Sequence, residues 1–318
     1  MPKVSIAIPA YNASSFIEDA LQSIFSQEFN DYEVLVVDDG SVDQTPSILK
    51  KYESKIRFFR KNNGGPASAR NVAIKNSMGK YIAFLDADDL WKPQKLKLQV
   101  DYMDKDQSIG FSHTNAECFS IDNEGKKVKR RNLVCDVQGF VFKDLFWSNF
   151  IVNSSVLVRH ECLERVGLLD ESRELIGSED YDLWLRLSRF YKLGCVSDIL
   201  LEYRLHDQSL IGESYVNAFP LHVEIYKKFY QTFPDTKEKI GMDYNEALGD
   251  LYLRYAYKNF MTNNFMKAFK KSLSSILFLP LKGLTASLLI ATRQHGFSTW
   301  SRLISRFELW HKITSAKW

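Results

Sequence analysis

Two kinds of apolar segment alternate over the first 90 residues of the chain. Short runs rich in β-branched residues are separated by stretches whose apolar residues recur every three or four positions, which is the spacing of one helix face. This alternation predicts a parallel sheet covered by helices on both faces. Ser14 or Ser15 is expected to cap the first helix. The strand-like runs are residues 4–8, 33–37, 56–59 and 81–85.

The pattern becomes mixed after residue 95 and purely helical after residue 212. The polar segment 123–132 predicts a hairpin or a loop, whose basic run is expected to be a solvated face. We therefore expect a mixed, mainly parallel α/β sheet with an all-helical C-terminal region. Its divisions are expected at 1–110, 111–212 and 213–318. The predicted C-terminal helices are 221–233, 245–260, 264–278 and 281–291.

Composition and charge exclude several classes of function. The chain has 42 basic and 39 acidic residues, a net charge of +3, which is too balanced to indicate nucleic-acid binding. Its four cysteines lie far apart without a CxxC pair, so neither a zinc site nor a disulfide framework is expected. No signal peptide is expected at the N-terminus, and no run of about 20 apolar residues predicts a membrane span. A reducing, cytoplasmic location is therefore expected.

Acidic residues follow two of the predicted strands. Asp38 and Asp39 come after the second strand, and Asp86, Asp88 and Asp89 come after the fourth. Ligands of parallel α/β sheets bind beyond the carboxyl ends of the strands, and hard divalent cations bridge such carboxylates to substrate phosphates. The alternative for each cluster is an ordinary turn with a helix-capping Asp.

A glycine-containing segment, NGGPASARN at 63–71, opens a helix between the two acidic clusters. It lacks both the P-loop Lys and the GxGxxG pattern, so neither ATP hydrolysis nor dinucleotide oxidoreduction is predicted. Arg70 can reach a phosphate or a base from the first turns of this helix. The alternative is that Arg70 forms a surface salt bridge.

Taken together, these motifs resemble the family 2 glycosyltransferases, which have the GT-A fold. The resemblance covers about residues 3 to 210, with the blocks in the family's order and spacing. The matching blocks are VSIAIPAYN (4–12), VVDDGSVDQT (36–45), NGGPASARN (63–71), GKYIAFLDADD (79–89), GSEDYDLWLRL (177–187) and YRLHDQS (203–209).

The resemblance implies a role for individual residues. It implies that the base and ribose of a nucleotide-sugar contact the residues Pro9, Tyr11, Asn12 and Asp39. Arg70 then lies near the base or the phosphates, and Asp86 contacts the ribose. Asp88 is the implied ligand of Mg²⁺ or Mn²⁺, and His206 approaches the metal or the diphosphate.

The Glu179-Asp180 pair corresponds to the acids that supply the family's general base, and we assign that role to Asp180. The alternative is that both are favourable first-turn acids of a helix capped by Ser178. Trp184 in this helix is expected in the core, with a wall of the acceptor site as the alternative.

The resemblance also implies a reaction and its partners. We expect direct, inverting transfer of a sugar from a nucleotide-sugar, with UDP-sugars favoured, to a glycan or lipid-linked glycan acceptor of bacterial surface-polysaccharide type. The chain lacks the QxxRW block and membrane spans of processive synthases, so a non-processive enzyme is expected. The basic, amphipathic C-terminal helices lie on an anionic membrane or pack on a protein. A nucleotidyltransferase and a non-catalytic membrane scaffold are the alternative functions.

Overall fold

The computed structural model describes residues 1–207, 219–261 and 264–291. These residues divide into two compact units. The first unit contains residues 1–145 and 149–207; the second contains residues 146–148 and the described residues from 219 on. The predicted division of the first unit at residue 110 stays a prediction, and the segments 208–218, 262–263 and 292–318 lie outside the described residues.

A nine-stranded mixed sheet forms the first unit, as the predicted fold class requires. The strand order is β3-β2-β1-β4-β8-β6-β9-β5, and β7 pairs with β6. The strands are β1 (Val4–Ala10), β2 (Tyr32–Asp38), β3 (Arg57–Arg60), β4 (Tyr81–Phe84), β5 (Leu90–Trp91), β6 (Ile109–Ile121), β7 (Lys127–Leu133), β8 (Leu157–Arg159) and β9 (Lys192–Arg204).

The first four strands of this unit pair in parallel. Strand β1 lies between β2 and β4, and β3 continues the sheet beyond β2. Strand β4 is fully buried, as expected for a parallel strand covered on both faces. Because parallel strands end at a common edge, the loops after β1, β2 and β4 emerge side by side there. Both predicted acidic clusters follow strands that end at this edge.

The remaining strands pair in both directions. Strand β8 is antiparallel to β4 and β6, whereas β6 and β9 are parallel. The segment predicted as a hairpin or a loop is the hairpin β6–β7. Its basic residues are partly ion-paired, since Lys129 lies 2.7 Å from Glu117 and Lys127 pairs with Glu202.

Helices connect the strands of this part of the chain. They are α1 (Ile17–Phe25), α2 (Thr45–Lys50), α3 (Pro66–Lys75), α4 (Lys95–Lys105), α5 (Phe142–Trp147), α6 (His160–Val166) and α7 (Glu179–Ser188). Single turns of 3₁₀ helix are formed by Asn153–Ser155 and Arg173–Leu175.

The predicted serine cap of α1 is wrong, because this helix begins after Phe16. Ser178 does stand at the N-cap position of α7, as predicted, but its side chain makes no cap hydrogen bond. The backbone N–H of Ser14 instead donates to the carboxylate of Asp43 at 3.0 Å, and the N–H of Thr45 donates to the same carboxylate at 2.9 Å. Burial acts to raise the pKa of Asp43, but these hydrogen bonds outweigh it and lower the pKa to about 2.

The second unit is helical, as predicted. It contains the helices α8 (Phe219–Thr232), α9 (Thr236–Ile240), α10 (Tyr244–Met261), α11 (Phe265–Ser275) and α12 (Pro280–Ala291). Leu253, Phe260 and Ile290 belong to its apolar core, and a buried ion pair joins Asp250 and Arg254 at 2.6 Å. Among the helices that the structure describes, none is long and apolar enough to cross a membrane.

Candidate active site

Asp39 follows β2 and holds the loop that leads into α3. Its carboxylate, which is 2% exposed, accepts hydrogen bonds from the Lys61 ammonium at 2.7 Å and from the Gly64 and Gly65 amides at 3.0 and 2.7 Å. Gly65 has φ +89°, a conformation that glycine adopts readily. Both oxygens of Asp39, predicted to face a base, are therefore already engaged by this loop.

A concavity of about 690 Å³ opens beside the same loop. Asn12 braces one wall of it, because its amide N–H donates to the Ser41 hydroxyl at 2.9 Å and its side chain accepts from the Val42 amide at 3.0 Å. Pro9 lies near the end of β1, and the Tyr11 ring is half-exposed. The site therefore offers backbone amides, an open ring and two cations. The lining residues are Gly40, Ser41, Val42, Arg60, Lys61, Asn62 and Asn63.

Arg70 of α3 is buried and joins two acidic segments. Its two terminal nitrogens donate to the carboxylates of Asp86 and Glu179, each at 2.6 Å. Burial acts to lower the pKa of Arg70, but the two carboxylates outweigh it and raise the pKa. Arg70 is thus not the exposed salt bridge considered above, and one N–H of each terminal nitrogen is engaged by the protein itself. We call this arrangement the Arg70 fork.

Asp88, two residues after Asp86, contacts His206. Nε2 of His206 lies 2.8 Å from Oδ2 of Asp88, and both side chains are partly exposed. The His206 ring packs on Phe16, with 4.5 Å between the ring centroids. Two residues 118 positions apart in sequence therefore present an oxygen and a nitrogen to one point.

Asp89 is turned away from this point and is buried. Its carboxylate accepts hydrogen bonds from the Ser154 hydroxyl at 2.6 Å and from the Arg204 amide at 3.0 Å. Burial and the neighbouring charges of Asp88 and Asp86 raise its pKa well above the ordinary value. These contacts make Asp89 a support for the turn that carries Asp88.

Asp180 lies in the first turn of α7, beside the Arg70 fork. Burial and the charge of Glu179 raise the pKa of Asp180 to about 7, although Arg70 acts in the opposite direction. A carboxylate with this pKa can accept a proton near neutral pH. Trp184 of the same helix is fully buried between Phe84 and Phe111, so it belongs to the core.

Asp88 and His206 fit a divalent cation as a shared ligand pair. Carboxylate oxygen is the ligand that both Mn²⁺ and Mg²⁺ prefer, and an imidazole nitrogen beside it favours Mn²⁺ over the harder Mg²⁺. Such cations often keep waters and bind substrate phosphates. Within the described residues, no group of three acidic, His or Cys side chains is arranged to hold a metal ion. A cation here would therefore depend on oxygen atoms of a bound diphosphate.

Several residues of the site were missed by the sequence reasoning. Asn153 donates to Asp86 at 2.9 Å, the Asp86 amide donates to Ser154 at 3.0 Å, and Arg204 donates to the carbonyl of Asp88 at 2.8 Å. Lys61 pairs with Asp39. A single Asn or Ser in an apolar stretch carries no local signal, but the YRLH block did contain Arg204.

Comparisons with known proteins identify relatives of this chain. Residues 5–167 match the model of glycosyl transferase family 2. An uncharacterized glycosyltransferase of Rickettsia bellii is 36% identical over 208 residues, which are 64% of this chain and 29% of that protein. WfaP of Escherichia coli, a UDP-Glc:alpha-D-GlcNAc-diphosphoundecaprenol beta-1,3-glucosyltransferase, is 32% identical over 225 residues, which are 68% of this chain and 82% of WfaP.

A solved structure resembles the chain over nearly its full length. The mannosyltransferase PcManGT of Pyrobaculum calidifontis, in complex with GDP-Man and Mn²⁺, is 18% identical with a TM-score of 0.56, covering 99% of this chain and 84% of that one. The chain therefore belongs to glycosyl transferase family 2, and the predicted GT-A fold is confirmed. It spans about a third of the length of the first relatives it matches.

Proposed function

We propose that the chain is a metal-dependent, inverting, non-processive glycosyltransferase. It moves a sugar from a nucleotide-sugar, with UDP-sugars favoured, to a hydroxyl group of a glycan or lipid-linked glycan, and Asp180 is the general base. The observation that carries the proposal is the Arg70 fork, since it bonds Asp86 of the second acidic cluster and Glu179 beside Asp180.

On the donor side, the concavity beside the Asp39 loop receives the base and ribose. Pro9, Tyr11 and Asn12, at the end of β1, contact the base and ribose from beside this concavity, where Asn12 bonds the lining residues Ser41 and Val42. The Asp39 carboxylate keeps the Gly64 and Gly65 amides in place. Asp86 contacts the ribose, and Arg70 acts on the donor by fixing the position of Asp86. Support for this assignment comes from the hydrogen bonds themselves, which leave Asp86 about 30% exposed.

The chemical step needs a base on the acceptor side. Asp180 takes the proton of the acceptor hydroxyl while the hydroxyl oxygen forms a bond to the anomeric carbon. The bond from that carbon to the diphosphate breaks with its electron pair, and attack opposite the leaving group inverts the anomeric configuration. A pKa of about 7 leaves Asp180 partly ionised at neutral pH and basic enough to accept the proton.

Asp88 and His206 would hold the divalent cation, Mn²⁺ or Mg²⁺. When bound, the cation offsets the negative charge that develops on the leaving diphosphate. Phe16 and Arg204 keep the two ligands oriented, the first by packing on the imidazole ring and the second by a hydrogen bond to the Asp88 carbonyl. The Mn²⁺ in the PcManGT complex supports a metal in this fold.

The partners and the location follow from the relatives by analogy. WfaP is named for a UDP-Glc donor and a diphosphoundecaprenol-linked acceptor, which supports a lipid-linked acceptor and a role in polysaccharide biosynthesis at the inner face of the plasma membrane. PcManGT holds GDP-Man, so the base preference needs its own test. We propose residues 1–110 as the donor half, 111–212 as the acceptor half and 213–318 as a C-terminal region whose described residues are helical. Family membership favours this function over nucleotidyl transfer.

The test is a screen of nucleotide-sugars for Mn²⁺-dependent binding, followed by turnover of the best donor. We expect Asp180→Asn to bind the donor like the parent chain and to lose transfer by a factor of about 10³, because only the base is removed. Asp88→Ala should instead lose the Mn²⁺-dependent part of donor binding.

Two outcomes would contradict the proposal. Equal turnover by Asp180→Asn and the parent chain would remove Asp180 as the base. A product with the donor's own anomeric configuration, read from the proton coupling of the anomeric carbon by NMR, would exclude direct inversion. The matched control is Glu174→Gln, an exposed acid five positions before Glu179, which lies outside the proposed chemistry.

A further inference from the structure

Helix α11 and the turn after it present apolar residues to solvent on one side. The exposed fractions are 68% for Met266, 43% for Leu273 and 82% for Leu277. Positions 266, 270, 273 and 277 follow helical spacing, so they share one face. Ser272 and Ser275 on the opposite face are fully buried.

Two exposed lysines accompany these apolar residues. Lys270 shares their face, and Lys267 flanks it. We propose that this surface, formed by Met266, Lys267, Lys270, Leu273 and Leu277 and called the α11 surface, docks reversibly on an anionic lipid membrane.

The distribution of charge along the sequence identifies the partner as anionic. Between Asp250 and Glu308 the chain has nine Lys or Arg residues and no acidic residue. The whole chain carries only +3, so the rest of it carries net negative charge. Positive charge is thus concentrated in the part of the sequence that contains α11. This charge attracts an anionic surface when the two are closer than about a Debye length.

Two other cations of this unit are engaged in its packing, in contrast to the α11 lysines. Lys271 lies 3.2 Å from the centroid of the Phe219 ring, and burial lowers its pKa. Arg254 is buried in its pair with Asp250. Lys267 and Lys270 are exposed beside Leu273, so their ammonium groups can meet lipid phosphates.

The mixture of side chains favours lipid over a protein partner. Interfacial helices bury an apolar stripe at the level of the acyl chains while lysines reach the phosphates around it. Leu284 of α12 is a further exposed apolar residue of this unit, at 62%. Docking on a membrane would bring the enzyme to a lipid-linked acceptor, and only this consequence rests on the proposed function. The docking itself depends only on charge and exposure.

The experiment is cosedimentation of the full chain with vesicles, without any substrate. Vesicles of phosphatidylglycerol and phosphatidylcholine in equal parts are compared with pure phosphatidylcholine. We expect binding to the anionic vesicles only, and about thirtyfold weaker binding by Lys267→Gln/Lys270→Gln, since a lysine near the surface contributes roughly fivefold. Leu273→Ser/Leu277→Ser should also weaken binding, including the part that resists salt of about 0.5 M.

The matched control is Lys51→Gln/Lys97→Gln, two exposed lysines of the first unit, which should bind vesicles like the parent chain. Far-UV circular dichroism and UDP binding report whether each variant is folded. Equal binding to neutral vesicles, or equal binding by the α11 and control variants, would overturn the proposal. So would a dimer that the α11 variants abolish in the absence of vesicle binding. Because no turnover is measured, none of these results depends on the transferase reaction.

Discussion

Arg70 donates to carboxylates that lie 16 and 109 positions away in sequence. Removing one partner of a buried ion pair leaves the others uncompensated, which costs roughly 3–5 kcal/mol. We therefore expect Arg70→Gln to lower the free energy of unfolding by about 3 kcal/mol in urea denaturation. Lys126→Gln is the control, because both partners of the Lys126–Glu124 pair are more than 70% exposed and such pairs contribute roughly 0–1 kcal/mol. Equal losses would mean that the fork is not a buried unit.

The charge of Glu179 tunes its neighbour Asp180. Glu179 helps to raise the pKa of Asp180 to about 7, and the base must be ionised to act, so kcat/KM should rise with pH through that value. Glu179→Gln removes the repelling charge, lowers the pKa of Asp180 and moves this rise to lower pH. The measurement is the pH profile of kcat/KM. Glu174→Gln, on an exposed residue nearby, should leave the profile unchanged, and a shift in both variants would refute the assignment.

At the level of elements, the loop after β2 is packed against the segment before α3. Gly40 has φ +82°, and a Cβ there would lie 2.9 Å from the backbone nitrogen of Asn63. Gly40→Ala should therefore cost about 3 kcal/mol of unfolding free energy, from the left-handed backbone and the clash together. Gly125→Ala has a similar φ of +77° but open space around it, so it should cost only about 1 kcal/mol. Equal losses of unfolding free energy for the two variants in urea denaturation would show that the loop moves to make room for the added Cβ.

Most elements were predictable because their signals are local. The strands and helices of the first 90 residues follow from alternating apolar patterns, and the acidic clusters follow from residues placed directly after strands. Helix α9 was missed, since its five residues between Asp235 and Gly241 are too few to show a period. The capping of α1 was mispredicted because backbone hydrogen bonds form the turn before the helix, where the amides of Phe16 and Ile17 both donate to the Ala13 carbonyl, and the helix therefore begins later than expected.

At the scale of the whole molecule, the order of the strands was beyond local reasoning. Strand β8 lies between β4 and β6, and nothing in its three residues specifies either neighbour. The same limit applies to the site. Asp88 and Asp180 could be nominated by motif, but the fork of Arg70 and the supports Asn153 and Ser154 depend on long-range packing.

Ligand binding should stabilise the folded chain as a whole. A ligand at a hundredfold excess over its Kd adds about 2.7 kcal/mol to the free energy of unfolding. We expect UDP with Mn²⁺ to raise the midpoint of thermal unfolding, measured by differential scanning fluorimetry, and EDTA to cancel most of that rise. Asp88→Asn should lose the Mn²⁺-dependent part. A rise that is the same with EDTA would contradict a metal between Asp88 and the diphosphate.

The pairing of β4 with β8 has a consequence for synthesis on the ribosome. Tyr81–Phe84 is an entirely buried strand, yet the strand that covers its second edge ends at Arg159. At about 5–20 residues per second, the nascent chain exposes this apolar edge for roughly 4–15 s. Open edges of this kind recruit other chains. The growing polypeptide is thus prone to aggregation during this interval. A chaperone that shields strand edges should therefore raise the yield of folded protein.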